Sequence, residues 1–417
     1  MSKKKNALLL PIILTVFIDM LGIGIIIPVL PALFFEPTSD FFRGALSYEQ
    51  RSVIYGFLLA AFPIMQFFGA PILGALSDRY GRKPLLTVSL AGTMVGYGLF
   101  AVALLNGNLW LLFFSRMLPG FTGGNISIVY SAIADISEGA ERTKNFGFVG
   151  MAFGLGFILG PAIGGFLADE SVVWWFNSAT PFWFTTVLTF LNILLVQRLF
   201  SETLRERGLR KVSFMTGVQN ILYSFRTPNL RVIFAVSLLL TLGFAFFTQF
   251  FAVALIDQFA FTEKDIGIFY AWVGIWLVIT QGFFVPRLAK RYAPATLLRV
   301  TIFTLGVFVL TVIFPENITW EYALAPFIAL SQGISAPNLI SVISNQASPS
   351  QQGQILGINQ SMQSFGAALP PIIGGYLTAM SSLYPLIAAG GIILLSWVVF
   401  VVFFRSSISF LKNRMNR

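Results

Sequence analysis

Apolar residues along this chain come in long uninterrupted runs, not in the alternations or narrow stripes of a water-soluble fold. Segments 7–34, 52–76, 85–105, 109–134, 145–168, 178–199, 230–256, 266–289, 296–314, 322–344, 353–379 and 382–404 are apolar throughout most of their length. A helix needs about 20 such residues to cross the hydrocarbon core of a bilayer. Most connections are short hairpins. The one long polar connection, 200–229, carries Glu202, Arg205, Glu206, Arg207, Arg210 and Lys211. The pattern predicts an all-α integral membrane protein with twelve transmembrane helices. Residues 1–199 form an N-terminal six-helix bundle, 200–229 a linker, and 230–417 a C-terminal six-helix bundle.

The two halves repeat one another. Gly156, Pro161, Gly164 and Gly165 in the fifth segment are matched, at one constant offset, by Gly366, Pro371, Gly374 and Gly375 in the eleventh. At nearly the same offset, Arg79 and Tyr80 match Arg291 and Tyr292, and Gly120 and Asn125 match Gly333 and Asn338. Small residues recur in all membrane helices, so the common offset carries more weight than any single match. A duplicated six-helix unit places a substrate cavity between the halves, near the midplane.

Composition narrows the chemistry. Of 417 residues, 56% are hydrophobic and only 11% charged, with a mean hydropathy of +0.80; soluble domains carry about 25% charged residues. There is no cysteine and no histidine. Disulfides and thiolate metal sites are excluded, and so are the commonest metal ligand and the usual general base. No metal site, cofactor or enzyme activity is expected. Proton chemistry would have to run through Asp or Glu. No phosphate-binding loop is present to drive transport by ATP; a proton gradient is the expected energy source.

The net charge of +10 is not a nucleic-acid footprint, because its placement follows the membrane. Cations gather at Lys3–Lys5, at Arg79, Arg82 and Lys83, at Arg142 and Lys144, between Arg198 and Arg231, between Arg287 and Arg299, and from Arg405 to the end. The opposite side carries Arg43, Arg51 and Lys264. The positive-inside bias predicts a cell-membrane protein with both termini and the 200–229 linker in the cytoplasm. The apolar run from Ala7 to Phe35 is too long for a signal peptide and is read as the first span. Lipids and a small-molecule substrate are the expected partners, nucleic acid is not, and the chain is expected to be a monomer.

Two charges fall inside spans. Asp19 sits about 18 Å into the first segment and Arg116 about 10 Å below the outer edge of the fourth, at 1.5 Å per residue. In a core about 30 Å thick they reach similar depths and are candidates to pair. Each costs about 2.5–3.5 kcal/mol at a helix centre, so a role is expected: a proton carrier with its coupling cation, or a static ion pair between segments one and four. Asp19 is the only carboxylate the pattern places deep within a span; Asp135 and Asp257 fall near helix ends. Gly156, Gly160 and Gly164 form a ridge for close helix packing, and Pro161 allows a bend. Gln66, Asn125, Phe246, Phe247, Gln249, Trp276, Gln281, Asn359, Gln360 and Gln363 are candidates to line the cavity, although residues of these types more often make an interhelical hydrogen bond or, for the aromatics, face lipid. Trp174, Trp175 and Trp183 read as interfacial anchors.

Several strings resemble a known family. Gly74-Ala-Leu-Ser-Asp78-Arg79-Tyr-Gly81-Arg82-Lys83 resembles the signature loop of the major facilitator superfamily. Gly156 to Gly165, with Gly160, Pro161 and Gly164, resembles the antiporter motif of its drug:proton antiporter branch. Arg116-Met-Leu-Pro-Gly120 resembles that family's fourth-segment motif. Asp19-Met-Leu-Gly22 to Pro31 is similar to the first helix of tetracycline-type pumps. The resemblance implies that Asp78 latches the cytoplasmic side in the outward-open state, with Asp135 as a candidate partner. It links Arg116 to proton coupling and the glycines of segment five to export. Segments eight and nine lack the internal His or Asp that tetracycline pumps use, which argues against a tetracycline–metal chelate as substrate. The leading expectation is a proton-coupled exporter of amphipathic small molecules working by alternating access. The same fold moving a lipid, glycolipid or sugar, and a non-transporting receptor or scaffold, remain the alternatives.

Overall fold

The computed structural model describes residues 2–36, 41–42, 46–123, 125–137, 139–204, 230–314, 316–344 and 352–404, with Met215, Gln219 and Leu222 between the halves. Arg43, Gly124, most of the 200–229 linker (including Arg205, Glu206, Arg207, Arg210 and Lys211) and the cations beyond Phe404 lie outside the described residues.

The first half holds α1 (Ser2–Phe35), α2 (Tyr48–Tyr80), α3 (Arg82–Leu105), α4 (Leu109–Thr122), α5 (Asn125–Ile136), α6 (Gly139–Ala168) and α7 (Thr180–Leu199). The second holds α8 (Arg231–Phe259), α9 (Glu263–Ile279), a π-helical segment (Thr280–Phe284), α10 (Val285–Ala289), α11 (Pro294–Thr311), α12 (Ile318–Ser344), α13 (Gln352–Met380) and α14 (Tyr384–Phe403). Among the described residues there is no strand. Helices are what a spanning chain allows, because lipid offers no partner to a free backbone N–H or C=O. Nine described helical stretches are long and apolar enough to cross a membrane. The other expected spans are α4 with α5, α6 and α13, so the elements fall on the twelve predicted segments.

Local chemistry fixes the helix ends. Ser47 and Gln50 close a capping box at the start of α2, and Thr262 and Asp265 another at α9. Gly81 adopts φ +111° between α2 and α3, a conformation that favours glycine. Two spans depart from the simple helices expected. The fourth breaks after Pro119 at Gly123, and side chains of neighbouring helices cover the carbonyls this frees. Ser89 Oγ donates to Thr122 O, and Gln66 Nε2 to Gly123 O at 3.3 Å. The eighth contains the π segment, where Thr280 Oγ1 donates to Trp276 O at 2.7 Å. Single-turn π insertions of this kind are frequent at functional sites.

Twelve crossings put Ser2 and Phe403 on one side, the terminal face; the opposite side is the far face. One apolar cluster runs through both halves: it joins Phe34, Tyr55 and Phe100, toward the far face of the first half, to Phe246, Phe250 and Phe269, and continues in the second half to Phe400 and Phe404 at the terminal face. Toward the terminal face the first half keeps a separate cluster of its own, built on Ile12, Val16, Leu86, Ile128 and Val149.

Candidate functional site

Close backbone contact between the halves follows the sequence repeat. α2 meets α13 at Gly56 and Gly375, and α6 meets α9 at Gly165 and Gly267. A Cβ on Gly56 would stand 2.2 Å from Pro371 O, and one on Gly165 2.7 Å from Glu263 O. The glycines of segment five therefore divide between two tasks. Gly156, Gly160 and Gly164 press on α1 at Phe17–Met20, Leu21–Gly24 and Ile25–Pro28, and Pro161 Cδ also lies against Gly24. Gly165, with the carbonyl of Pro161, meets Gly267 at the seam with the second half.

Polar links join the halves as well, and those between described residues lie toward the far face. Tyr48 Oη donates to the Asp257 carboxylate, and Tyr55 Oη to Gln249 O at 2.8 Å. Ser178 Oγ donates to Glu263 Oε1 at 2.8 Å, and Lys264 Nζ pairs with Asp169 at 2.9 Å. Donors on Ser171 and the Lys264 ammonium hold the Asp169 carboxyl below its usual value. Trp174, Trp175 and Trp183 are exposed near this face, where amphipathic rings anchor at an interface.

Near the terminal face the signature loop forms a compact polar hub inside the first half. Arg82 is 5% exposed, and its guanidinium reaches Asp78 Oδ1 at 2.5 Å, Ser77 Oγ at 2.6 Å and Asp135 Oδ2 at 3.1 Å. Asp78 thus pairs with Arg82 and not with Arg79, whose guanidinium sits over the Tyr80 ring at 5.3 Å. Gly74 contributes its carbonyl, which accepts from Ser77 Oγ at 2.8 Å, and Lys83 Nζ donates to Gln197 O at 2.7 Å. Sequence reasoning missed Glu202 as a member of this hub. Its carboxylate accepts the backbone N–H groups of Arg82, Lys83, Thr203 and Leu204 at 2.9, 3.1, 2.9 and 2.9 Å. Partial burial alone would raise the Glu202 carboxyl, but these donors outweigh it and hold it below the usual carboxylate range. A side chain on Gly81 would collide with the same carboxylate.

At mid-depth the two intramembrane charges are both buried but do not pair. Asn125 Nδ2 donates to Asp19 Oδ2. Arg116 enters no ion pair among the described residues. Its Nε has no partner, and its guanidinium lies over the Phe62 ring at 4.8 Å. The pairing that equal depth suggested is therefore corrected. Asn125 occupies the carboxylate, and an aromatic face, not an anion, underlies the cation. Tyr97 packs its hydroxyl against Gly22, one turn along α1 from Asp19. Neither Tyr97 nor Phe62 carries a signal that sequence alone could have singled out. The helix α12 starts at Ile318, ahead of the predicted edge, and carries Glu321 in its first turn, near a helix end like Asp135 and Asp257, 2% exposed with Oε2 unpartnered.

The candidate cavity residues separate by environment. Gln66 caps the end of α4, and Asn359 Oδ1 accepts from Ser237 Oγ at 2.7 Å, an interhelical bond. Phe246 and Phe247 are buried in the shared apolar cluster, with Phe247 stacked on Phe251 at 4.8 Å. Gln249 Oε1 and Trp276 Nε1 are buried without partners, Gln360 and Gln363 are half-buried, and Gln281 is exposed in the π segment. Among the described residues no cluster of carboxylates could hold a metal ion.

Two pseudo-symmetric six-helix bundles that meet along glycine seams, with charges enclosed at mid-depth, define a polytopic membrane transporter. The chain belongs to the Major Facilitator Superfamily, whose profile matches residues 12–369. It is 31% identical to the class C tetracycline resistance protein of Escherichia coli over 91% of each chain. It is 30% identical to multidrug resistance protein 1 of Bacillus subtilis (strain 168) over 92% of each. In structure it resembles the human organic anion transporter MFSD10 (TETRAN) with a TM-score of 0.70, at 21% identity, covering 95% of this chain and 99% of that one.

Proposed function

We propose that this transporter is a proton-coupled exporter of amphipathic small molecules. The terminal face, with both termini and the linker, is cytoplasmic, and the cell-membrane proton gradient supplies the energy. The protein works as a monomer, without metal or cofactor, and alternates between states open to either face. Asp19 carries the proton, Arg116 is the coupling cation, and the hub of Asp78, Arg82 and Asp135 is the conformational latch. The observation that carries this reading is Asp19 itself: a carboxylate within the first span, hydrogen-bonded to Asn125 and free of any cationic partner among the described residues. A static ion pair would account for a buried carboxylate, and that pair is not formed. In a chain without histidine, a carboxylate released from structural duty suits a proton carrier. The tetracycline and multidrug resistance relatives support export of drug-like molecules.

The test is substrate-induced proton release from detergent-purified protein, with tetracycline and a lipophilic cationic dye as separate probes. Asp19→Asn should fold, because the new amide keeps an oxygen to accept from Asn125, and it should release no protons. Release equal to that of the wild type would remove Asp19 as the carrier.

A further inference from the structure

Two arginines of the first half are almost fully buried, and they are treated in opposite ways. Arg82 is 5% exposed and surrounded by Ser77, Asp78 and Asp135. Arg116 is 7% exposed and has no described hydrogen-bond or ion-pair partner, while its Nε is sealed from solvent. Taking a guanidinium out of water without a counter-charge costs several kcal/mol, and arginine does not escape by losing its proton. The obvious counter-ion, Asp19, is held by Asn125. The Phe62 ring at 4.8 Å offsets part of the cost, since the face of an aromatic ring attracts a cation. It also leaves the N–H edges of the fork free. A fork with free edges matches two oxygens of one anion.

We propose that Arg116 is the seat of a delocalised oxyanion, a carboxylate or its equivalent, on a flat and largely apolar transported molecule. The molecule brings the charge that the protein withholds, and the aromatic surface at Phe62 lies beside it. The position suits such a ligand, because Arg116 shares mid-depth with Asp19 and with the polar break at Gly123. This inference rests on the transporter reading but not on proton coupling.

The test uses naphthalene carboxylate and naphthalene carboxamide, which differ in charge and hardly in shape. Equilibrium dialysis of the purified full chain against detergent alone gives both affinities with no gradient imposed. The wild type should prefer the carboxylate by about tenfold or more, since each tenfold is only about 1.4 kcal/mol. Arg116→Gln should erase the preference and leave amide binding in place, and Arg116→Lys should keep part of it. Equal affinities in the wild type, or a preference that survives in Arg116→Gln, would overturn the proposal. If Arg116→Gln does not fold, the wild type decides. The carboxylate, and not the amide, should shield Arg116 from phenylglyoxal in peptide mass spectrometry, and absence of that shielding counts against the site. The preference should persist in Asp19→Asn even if proton coupling fails there, so the two readings fail separately.

Discussion

Replacing Gly56 with Ala should open the far face. The added Cβ would stand 2.2 Å from Pro371 O and 2.9 Å from Gly375 Cα, where ordinary contact begins near 3.4 Å. Both obstacles are backbone, so no rotamer change relieves them, and α2 and α13 must part by about 1 Å. Overpacking of this kind costs about 1–3 kcal/mol. It falls only on the state in which the seam is closed, so the ratio of closed to open molecules should drop by roughly 5- to 150-fold. Because the chain has no cysteine, spin labels at Glu170→Cys and Glu316→Cys report the distance between the halves at this face without background. Gly56→Ala should add a longer population. Gly391→Ala, with nothing within 4 Å of the new atom, should not. Gly267→Ala, whose Cβ would stand 2.9 Å from Pro161 O, should act in the same direction but less strongly. Identical distance distributions in the wild type and Gly56→Ala, with the label sites unperturbed, would refute the argument.

Two further perturbations test the terminal-face hub. Arg82→Lys keeps the charge but cannot hold Ser77, Asp78 and Asp135 together from one nitrogen. Breaking a fully buried pair costs about 3–5 kcal/mol, and the partly exposed carboxylates (24% and 22%) bring that to about 2 kcal/mol; an unchanged melting temperature of the purified protein would exclude this. Glu202→Gln turns one acceptor oxygen into a donor facing a backbone N–H. Because the folded Glu202 carboxyl is held below its ordinary value, its contribution is present above the free-glutamate value of about 4.3. It is lost as pH falls through the lower folded value. The mutant should therefore melt earlier than the wild type near neutral pH, with the gap closing only under strong acid, and a gap that opens on acidification would contradict the assignment.

What the sequence disclosed depended on whether a feature is periodic or solitary. Long apolar runs gave the spans to within a few residues, because the bilayer imposes one length on them all. The repeat gave the pseudo-symmetric halves, and Gly56 and Gly267 were within its reach. They correspond at nearly the same offset that links Gly165 to Gly375, but no longer motif surrounds them. Glu202 lay at the start of a polar linker, where nothing distinguishes an acid in solvent from one that collects backbone donors. Asp19 and Arg116 were conspicuous as charges, yet depth alone cannot show that Asn125 takes one and Phe62 the other. Gln66 and Asn359 read as cavity polar groups because sequence cannot separate a side chain facing a cavity from one serving a neighbouring helix.

The closure of the far face has a further consequence for coupling. The Lys264 side chain is half exposed, and an exposed ion pair of this kind is worth about 0–1 kcal/mol. The seam is therefore held chiefly by glycine-to-backbone packing and by the apolar cluster around Tyr55, Phe246 and Phe250. A proton can move the seam only through a group whose affinity for it differs between the two states; Asp19 is one such group, and the Glu263 and Asp257 carboxylates bonded across the seam are others. To shift the populations a hundredfold, Asp19 must bind its proton about a hundredfold more tightly in one state than in the other, which is about 2.7 kcal/mol. Gly56→Ala supplies the comparison, since it biases the open state without touching Asp19. Potentiometric titration of the purified proteins should place the Asp19-dependent step, the one missing in Asp19→Asn, at different pH values in the wild type and in Gly56→Ala. Steps that coincide, in samples whose label distances show the seam displaced, would mean that the Asp19 proton does not sense the seam, and the coupling would have to run through another carboxylate, with Glu263, bonded across the seam to Ser178, next in line.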